Sequence, residues 1–202
     1  MIRAFVGAGG KTTLIHEQAA AYRAEGKRVF VTTSTHMFLE PDTVLSDDPD
    51  VILAELDRKG YVMAGRPEGQ KIRALSPETY AAVCDHADVV LVEADGSNGK
   101  PIKFPNRTEP VLQDNVEEIV VVCGLRALGK PLREVAHRPE LVKACLGAED
   151  DSIITLAHMA ALVREGYLRP LAQTFQHVSV YPAGGTEKER KALLAMLNHL
   201  NR

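Results

Sequence analysis

The stretch Ile2-Arg-Ala-Phe-Val-Gly-Ala-Gly-Gly-Lys-Thr-Thr13 runs an apolar strand into a glycine-rich turn and then opens a helix with Lys-Thr-Thr. Strand, glycine loop, Lys-Ser/Thr and helix is the layout of a loop that cradles phosphates. Glycines let the backbone curl until its N–H groups face phosphate oxygens, and the start of the helix adds partial positive charge. In this reading Gly7, Ala8, Gly9, Gly10, Lys11, Thr12 and Thr13 bind the nucleotide. Lys11 reaches the terminal phosphates, and the Thr12 hydroxyl is a ligand for Mg²⁺.

The longer form of such a P-loop has a further glycine upstream, where this chain has Phe5. The shorter Gly7-Ala-Gly-Gly-Lys-Thr12 resembles the loop of Mur ligases and folylpolyglutamate synthetases, which join a carboxylate to an amine at the expense of ATP.

Asp88-Val-Val-Leu-Val-Glu-Ala-Asp-Gly-Ser97 is the second landmark. Its four apolar residues in a row suit a strand buried on both faces, as in a parallel sheet. An acid at the end of such a strand, downstream of a P-loop, holds Mg²⁺ or orients a water. Alternation puts Glu93 and Asp95 on one side. Asp95 is the favoured metal-side acid with Thr12, and Glu93 orients the nucleophile, although the two roles can be exchanged. Lys11, Glu93 and Asp95 make up the expected catalytic set.

Working outward, Thr12 to Glu25 has one apolar face and stops at Gly26. Arg28 to His36 begins as a strand and ends in hydroxyls at what would be a ligand-binding sheet edge. Thr33, Thr35 and His36 are therefore substrate candidates, although threonine also simply suits strands. Tyr61–Ala64 and Lys71–Leu75 read as a hairpin around Gly65–Gly69. Ser76-Pro-Glu opens a helix. Gly96 to Pro110 is turn-rich and basic, and Glu118 to Gly124 is another doubly buried strand. Pro139 starts a helix after His137-Arg138. Asp150 to Gly166 is amphipathic, with Ile153 and Ile154 on its core side. A last strand spans His177 to Tyr181, and Thr186 with Glu189 forms a capping box for a helix to about Leu200. Strands alternating with helices predict an α/β, three-layer, P-loop NTPase-like fold, with a mostly parallel sheet and helices on both faces. One domain over residues 1–202 is expected.

The net charge of −3 over 202 residues gives no basic footprint for nucleic acid. No apolar run reaches the length of about 18 residues that a membrane span needs. The chain enters a strand at Ile2, so no secretory leader is expected. Three scattered cysteines suit a reducing cytoplasm. The Asn-Lys-x-Asp motif that reads guanine is absent, which leaves ATP or GTP open.

Several phrases together carry a more specific resemblance. They are Val6 to Thr13, Val31-Thr-Thr-Ser-Thr-His36, Val92-Glu-Ala-Asp-Gly-Ser97, Lys100-Pro-Ile-Lys-Phe-Pro105, Glu109-Pro-Val111, Gly124 to Pro131 and His137-Arg-Pro-Glu140. In this order and spacing they resemble the YqeC family, described as accessory to selenium-dependent molybdenum hydroxylases. The resemblance implies a role in making or inserting a labile selenium cofactor, with a hydroxylase or its maturation factors as partners. It also places family motifs on Thr32 to His36, Lys103 and His137 to Glu140, which adds Lys103, His137 and Arg138 to the substrate candidates. Asn106 to Thr108 departs from the family pattern. Three functions fit: a nucleotide hydrolase or phosphoryl-transfer enzyme, a nucleotide-gated chaperone or switch, and an ATP-dependent ligase.

Overall fold

A computed structural model describes residues 1–198. The expected end of the last helix near Leu200 lies outside the described residues. The central sheet has six strands in the order β11 (Val178–Ala183), β9 (Glu118–Gly124), β1 (Ile2–Ala8), β7 (Val89–Glu93), β2 (Val29–Thr33) and β4 (Tyr61–Met63), and is flanked by helices, consistent with a three-layer arrangement. Its pairings of β1 with β7, β2 with β7 and β4, and β9 with β11 are all parallel. The expected α/β fold with a mostly parallel sheet is therefore present. The chain divides into two compact units, and β1 (Ile2–Ala8) passes from the first to the second between Phe5 and Val6.

The first unit holds residues 1–5, 12–96 and 111–117. Its elements are α1 (Lys11–Ala24), β2 (Val29–Thr33), β3 (His36–Phe38), α2 (Pro49–Lys59), β4 (Tyr61–Met63), β5 (Arg66–Glu68), β6 (Lys71–Arg73), α3 (Pro77–His86) and β7 (Val89–Glu93). Lys11 itself, the first residue of α1, groups with the second unit. Local chemistry sets the helix ends. The Asp48 side chain accepts from the Asp50 N–H, Pro49 supplies a preset φ at the first turn, and Gly60 ends α2 at φ 64°. Ser76 caps α3 by accepting from the Thr79 N–H, with Pro77 next. The apolar faces of these helices meet the sheet in a core built on Phe30, Ile52, Leu56, Val62, Val83 and Val90. Each such side chain, fully buried, contributes about 1.5–3 kcal/mol.

The hairpin differs from expectation. Tyr61–Met63 pairs with β2 in the main sheet, while β6 pairs antiparallel with β5 and β3 in a separate three-stranded sheet. The turn falls at Gly69, φ 61°, and the Gly65 backbone packs tightly on Ile72. Val62 and Met63 are apolar enough to be buried in the central sheet, and that burial outweighs a local hairpin.

The second unit holds residues 6–11, 97–110 and 118–202. Its described elements are β8 (Ile102–Lys103), β9 (Glu118–Gly124), α4 (Leu132–Val135), β10 (Ala136–His137), α5 (Pro139–Leu146), α6 (Leu156–Val163), α7 (Arg169–Leu171), β11 (Val178–Ala183) and α8 (Glu187–Asn198). A π-helical turn, Arg164–Leu168, joins α6 to α7. Helix α6 starts only after Thr155, whose side chain accepts from the His158 N–H. Ile153 therefore lies outside the helix and is half exposed, contrary to its expected core position; Ile154 is buried. The last strand is shifted to Val178–Ala183. The capping box forms as expected: Glu189 Oε2 accepts from the Thr186 N–H at 2.7 Å, and Thr186 Oγ1 accepts from the Glu189 N–H at 3.3 Å. Among the described residues no helix is long and apolar enough to cross a membrane.

Leu56→Ala should lower the unfolding free energy by about 2–5 kcal/mol in urea titrations. Ile153→Ala should change it by no more than about 0.5 kcal/mol.

Candidate functional site

In the second unit, β1 gives way to a backbone that only glycine adopts easily. Gly7 and Gly9 have φ of 85°, and Gly10 has 144°. The loop also lies very close to its neighbours. A Cβ on Gly7 would stand 2.2 Å from the Val122 carbonyl oxygen, and one on Gly9 would stand 2.7 Å from Gly124 Cα and the Pro101 oxygen. Lys11 is 3% exposed, and its ammonium donates to the Gly7 carbonyl at 2.7 Å. Gly7, Ala8, Pro101, Lys103, Val122 and Tyr167 are among the residues around a small cavity. Cys123 also lines it, and burial pushes its thiol up to about 12. A thiol so held stays protonated near neutrality and is no ready nucleophile.

In the first unit, the Thr12 hydroxyl donates to Glu93 Oε2 at 3.0 Å. Glu93 is the last residue of β7 and is buried. The ladder continues one step further, with the Ala94 N–H on the Phe5 carbonyl, so Asp95 lies past the strand. Strand alternation therefore does not relate Asp95 to Glu93. Asp95 is fully buried, and Thr13 is exposed. The threonines at the end of β2 bond to backbone: Thr32 Oγ1 donates to the Ala64 carbonyl, and Thr33 Oγ1 to the Glu93 carbonyl at 2.8 Å. Thr33 Oγ1 also accepts from the Thr35 N–H. His36 stands on β3 opposite Arg73, with Nε2 2.7 Å from Glu68 Oε2. It belongs to the small sheet.

The oxygens of Thr12 and Glu93 suit Mg²⁺. Both are hard oxygen donors of the kind that ion takes.

The second unit also assembles the remaining candidates. Lys103 pairs in register with His137 across β8 and β10, and Arg138 follows with φ 54° as the residue before α5. Lys103 Nζ and Arg138 Nη1 both reach Glu109 Oε2, at 2.8 and 2.5 Å. Burial alone would raise the Glu109 carboxyl. Hydrogen bonds from Arg138 and Lys103, with the Lys103 charge, bring it down from 4.5 to about 2. Glu109 was not among the sequence-derived candidates. It is the one acid between Asp95 and Asp114, and a buried lysine requires a partner of that kind.

Comparison with known proteins gives two findings. Residues 3–140 match the family model described as YqeC protein. The chain is also 33% identical over 169 residues to a protein of Escherichia coli (strain K12) called Uncharacterized protein YqeC. That match covers 79% of this chain and 66% of the relative, so the chain spans just under two thirds of the relative's length.

Because the Glu109 carboxyl is held low in the fold, its pairing stabilises the protein above the unfolded value near 4.5, and this is lost as pH falls toward 2. In acid titrations followed by circular dichroism, wild type should lose stability across that window more steeply than Glu109→Gln.

Proposed function

We propose that this chain, which belongs to the YqeC family, binds a Mg-nucleotide and hydrolyses it or transfers its phosphoryl group. The observation that carries the proposal is the left-handed glycine loop leading into the buried Lys11, directly followed in the chain by Thr12 on Glu93. Loop N–H groups from Gly7 to Gly10, with the start of α1, would hold the phosphates. Lys11 would exchange the Gly7 carbonyl for a phosphate oxygen. Thr12 and Glu93 would hold Mg²⁺, which neutralises charge on the phosphates. Asp95, buried two residues further on, then takes the water-orienting role, an exchange of the two acids relative to the favoured sequence reading. ATP and GTP both remain compatible with these contacts.

The setting comes from the family resemblance: maturation of a selenium- or molybdenum-dependent hydroxylase, with that enzyme or its maturation factors as partners. Three free cysteines suit a cytoplasmic location. Neither nucleic acid nor a membrane is part of the proposal.

A nucleotide-gated switch is a second reading with an observation of its own. Residues 97–110 leave the β7 end just after Glu93 and return where the Val111 N–H bonds the Ala94 carbonyl at 3.0 Å. A change at Glu93 thus acts at the root of this segment. The ATP-dependent ligase reading rests on the short loop alone.

Thermal unfolding with Mg²⁺ and a nucleotide panel should show stabilisation of about 2.7 kcal/mol at a hundredfold excess over Kd. Lys11→Ala should weaken Mg-nucleotide binding by at least about tenfold in calorimetry, with an unchanged circular dichroism spectrum. Equal affinity would remove the assignment. Glu93→Gln should reduce the Mg²⁺-dependent part of binding more than Asp95→Asn does.

A further inference from the structure

We propose that Lys103 and Arg138 form an oxyanion subsite for the nucleotide's co-substrate, and that Glu109 is an internal carboxylate occupying it until that oxyanion arrives. The link to a co-substrate rests on the phosphate-loop reading; the oxyanion subsite does not.

The charges are placed at a cost. The Lys103 side chain is fully buried, that of Glu109 is 11% exposed, and that of Arg138 is 32% exposed. Arg138 adopts φ 54° and ψ 67°, a left-handed backbone uncommon in a residue that carries a Cβ. Strain of this kind persists where the surroundings impose it, and it gathers at ligand clamps. The adjoining cavity is lined by Lys103, by Gly7 and Ala8 of the glycine loop, and by Tyr167. Tyr167 comes from the π-helical turn, a form of helix frequent at functional sites.

Glu109 is a poor permanent match for this pair. Lys103, Arg138 and the Asn106 N–H all converge on Oε2, the last at a long 3.4 Å. Glu109 therefore meets the guanidinium at one point, where the planar fork fits two oxygens. A phosphate or carboxylate group can give each cation an oxygen of its own. Glu109 is also carried on a segment that can yield. Strand β8 ends at Lys103 and no regular element covers 104–110; Phe104 and Pro105 pack on Gly166, and past Glu109 the next backbone bond to another segment is Val111 on Ala94. Immediately after Lys103 the chain borders an open cleft of about 550 Å³ lined by Phe104, Pro105, Arg107, Leu141, Cys145 and Glu165, room for a small organic molecule.

The test uses the full chain with Lys11→Ala, so that the phosphate loop does not answer for the added anion. Inorganic phosphate and acetate are titrated calorimetrically. Adding Glu109→Gln should tighten binding of at least one of them by about tenfold. Adding Arg138→Gln should abolish that gain. Phosphate alone points to a phosphorylated co-substrate, acetate alone to a carboxylate, and both to either oxyanion. No gain with either probe makes Glu109 a fixed counter-ion and overturns the proposal. Glu109→Asp, which keeps the charge but withdraws it, should give an intermediate gain. If neither Glu109 variant folds even in phosphate, the carboxylate is structural and the proposal fails. Nucleotide binding with Lys11 intact is measured separately, so failure of the phosphate loop and failure of this subsite are distinguishable.

Discussion

Everything around the candidate nucleotide site depends on a backbone-to-backbone approach. Gly7 lies against Val122, and Gly9 lies between Gly124 and Pro101, with no space for a side chain at either position. This approach fixes where β1 ends and where α1 begins. It also brings the Gly7 carbonyl to the Lys11 ammonium, so a lysine withdrawn from water keeps a partner. The same contact places Gly7, Ala8 and Lys103 around one cavity. A methyl group in the wrong place would dislodge all of these at once.

The cost of burying charge singles out the candidate residues. Among the described residues the buried charged side chains are Lys11, Glu93, Asp95 and Lys103. An ordinary fold keeps such groups at the surface, because taking an ion out of water is expensive unless hydrogen bonds and opposite charge compensate. Here the compensation is visible for three: Lys11 on Gly7, Glu93 with Thr12, and Lys103 with Glu109. The electrostatic investment falls on the segments that the motifs mark.

Lys11, Glu93 and Asp95 were legible in the sequence, because glycine patterns and acids ending an apolar run are local signals; Lys103 was marked by its basic, turn-rich stretch and by the family resemblance. The parallel sheet was legible for the same reason: Val89–Val92 and Ile119–Val122 are too apolar for a half-exposed strand. What escaped depended on distant partners. Tyr61–Met63 joined β2 and not the nearer β6, a choice made by burial in the sheet. Strand β7 ends at Glu93, two residues before Asp95, so alternation does not relate the two acids. His36 seemed bound for the sheet edge but pairs with Glu68, which the sequence places far downstream. Glu109 became visible only once Lys103 and Arg138 were seen to meet on it.

The parallel arrangement also bears on how the molecule is made. Ile2 lies opposite Val90, and Val178 opposite Ile119, so the sheet is assembled from segments far apart along the chain. Pairings of this kind require large loops to close before they are rewarded, which slows folding. During synthesis the glycine loop is made well before β7, the strand that pairs with β1. Val122 and Gly124, which confine the loop, come later still. The glycine loop is thus translated well before the segments that give it its final shape.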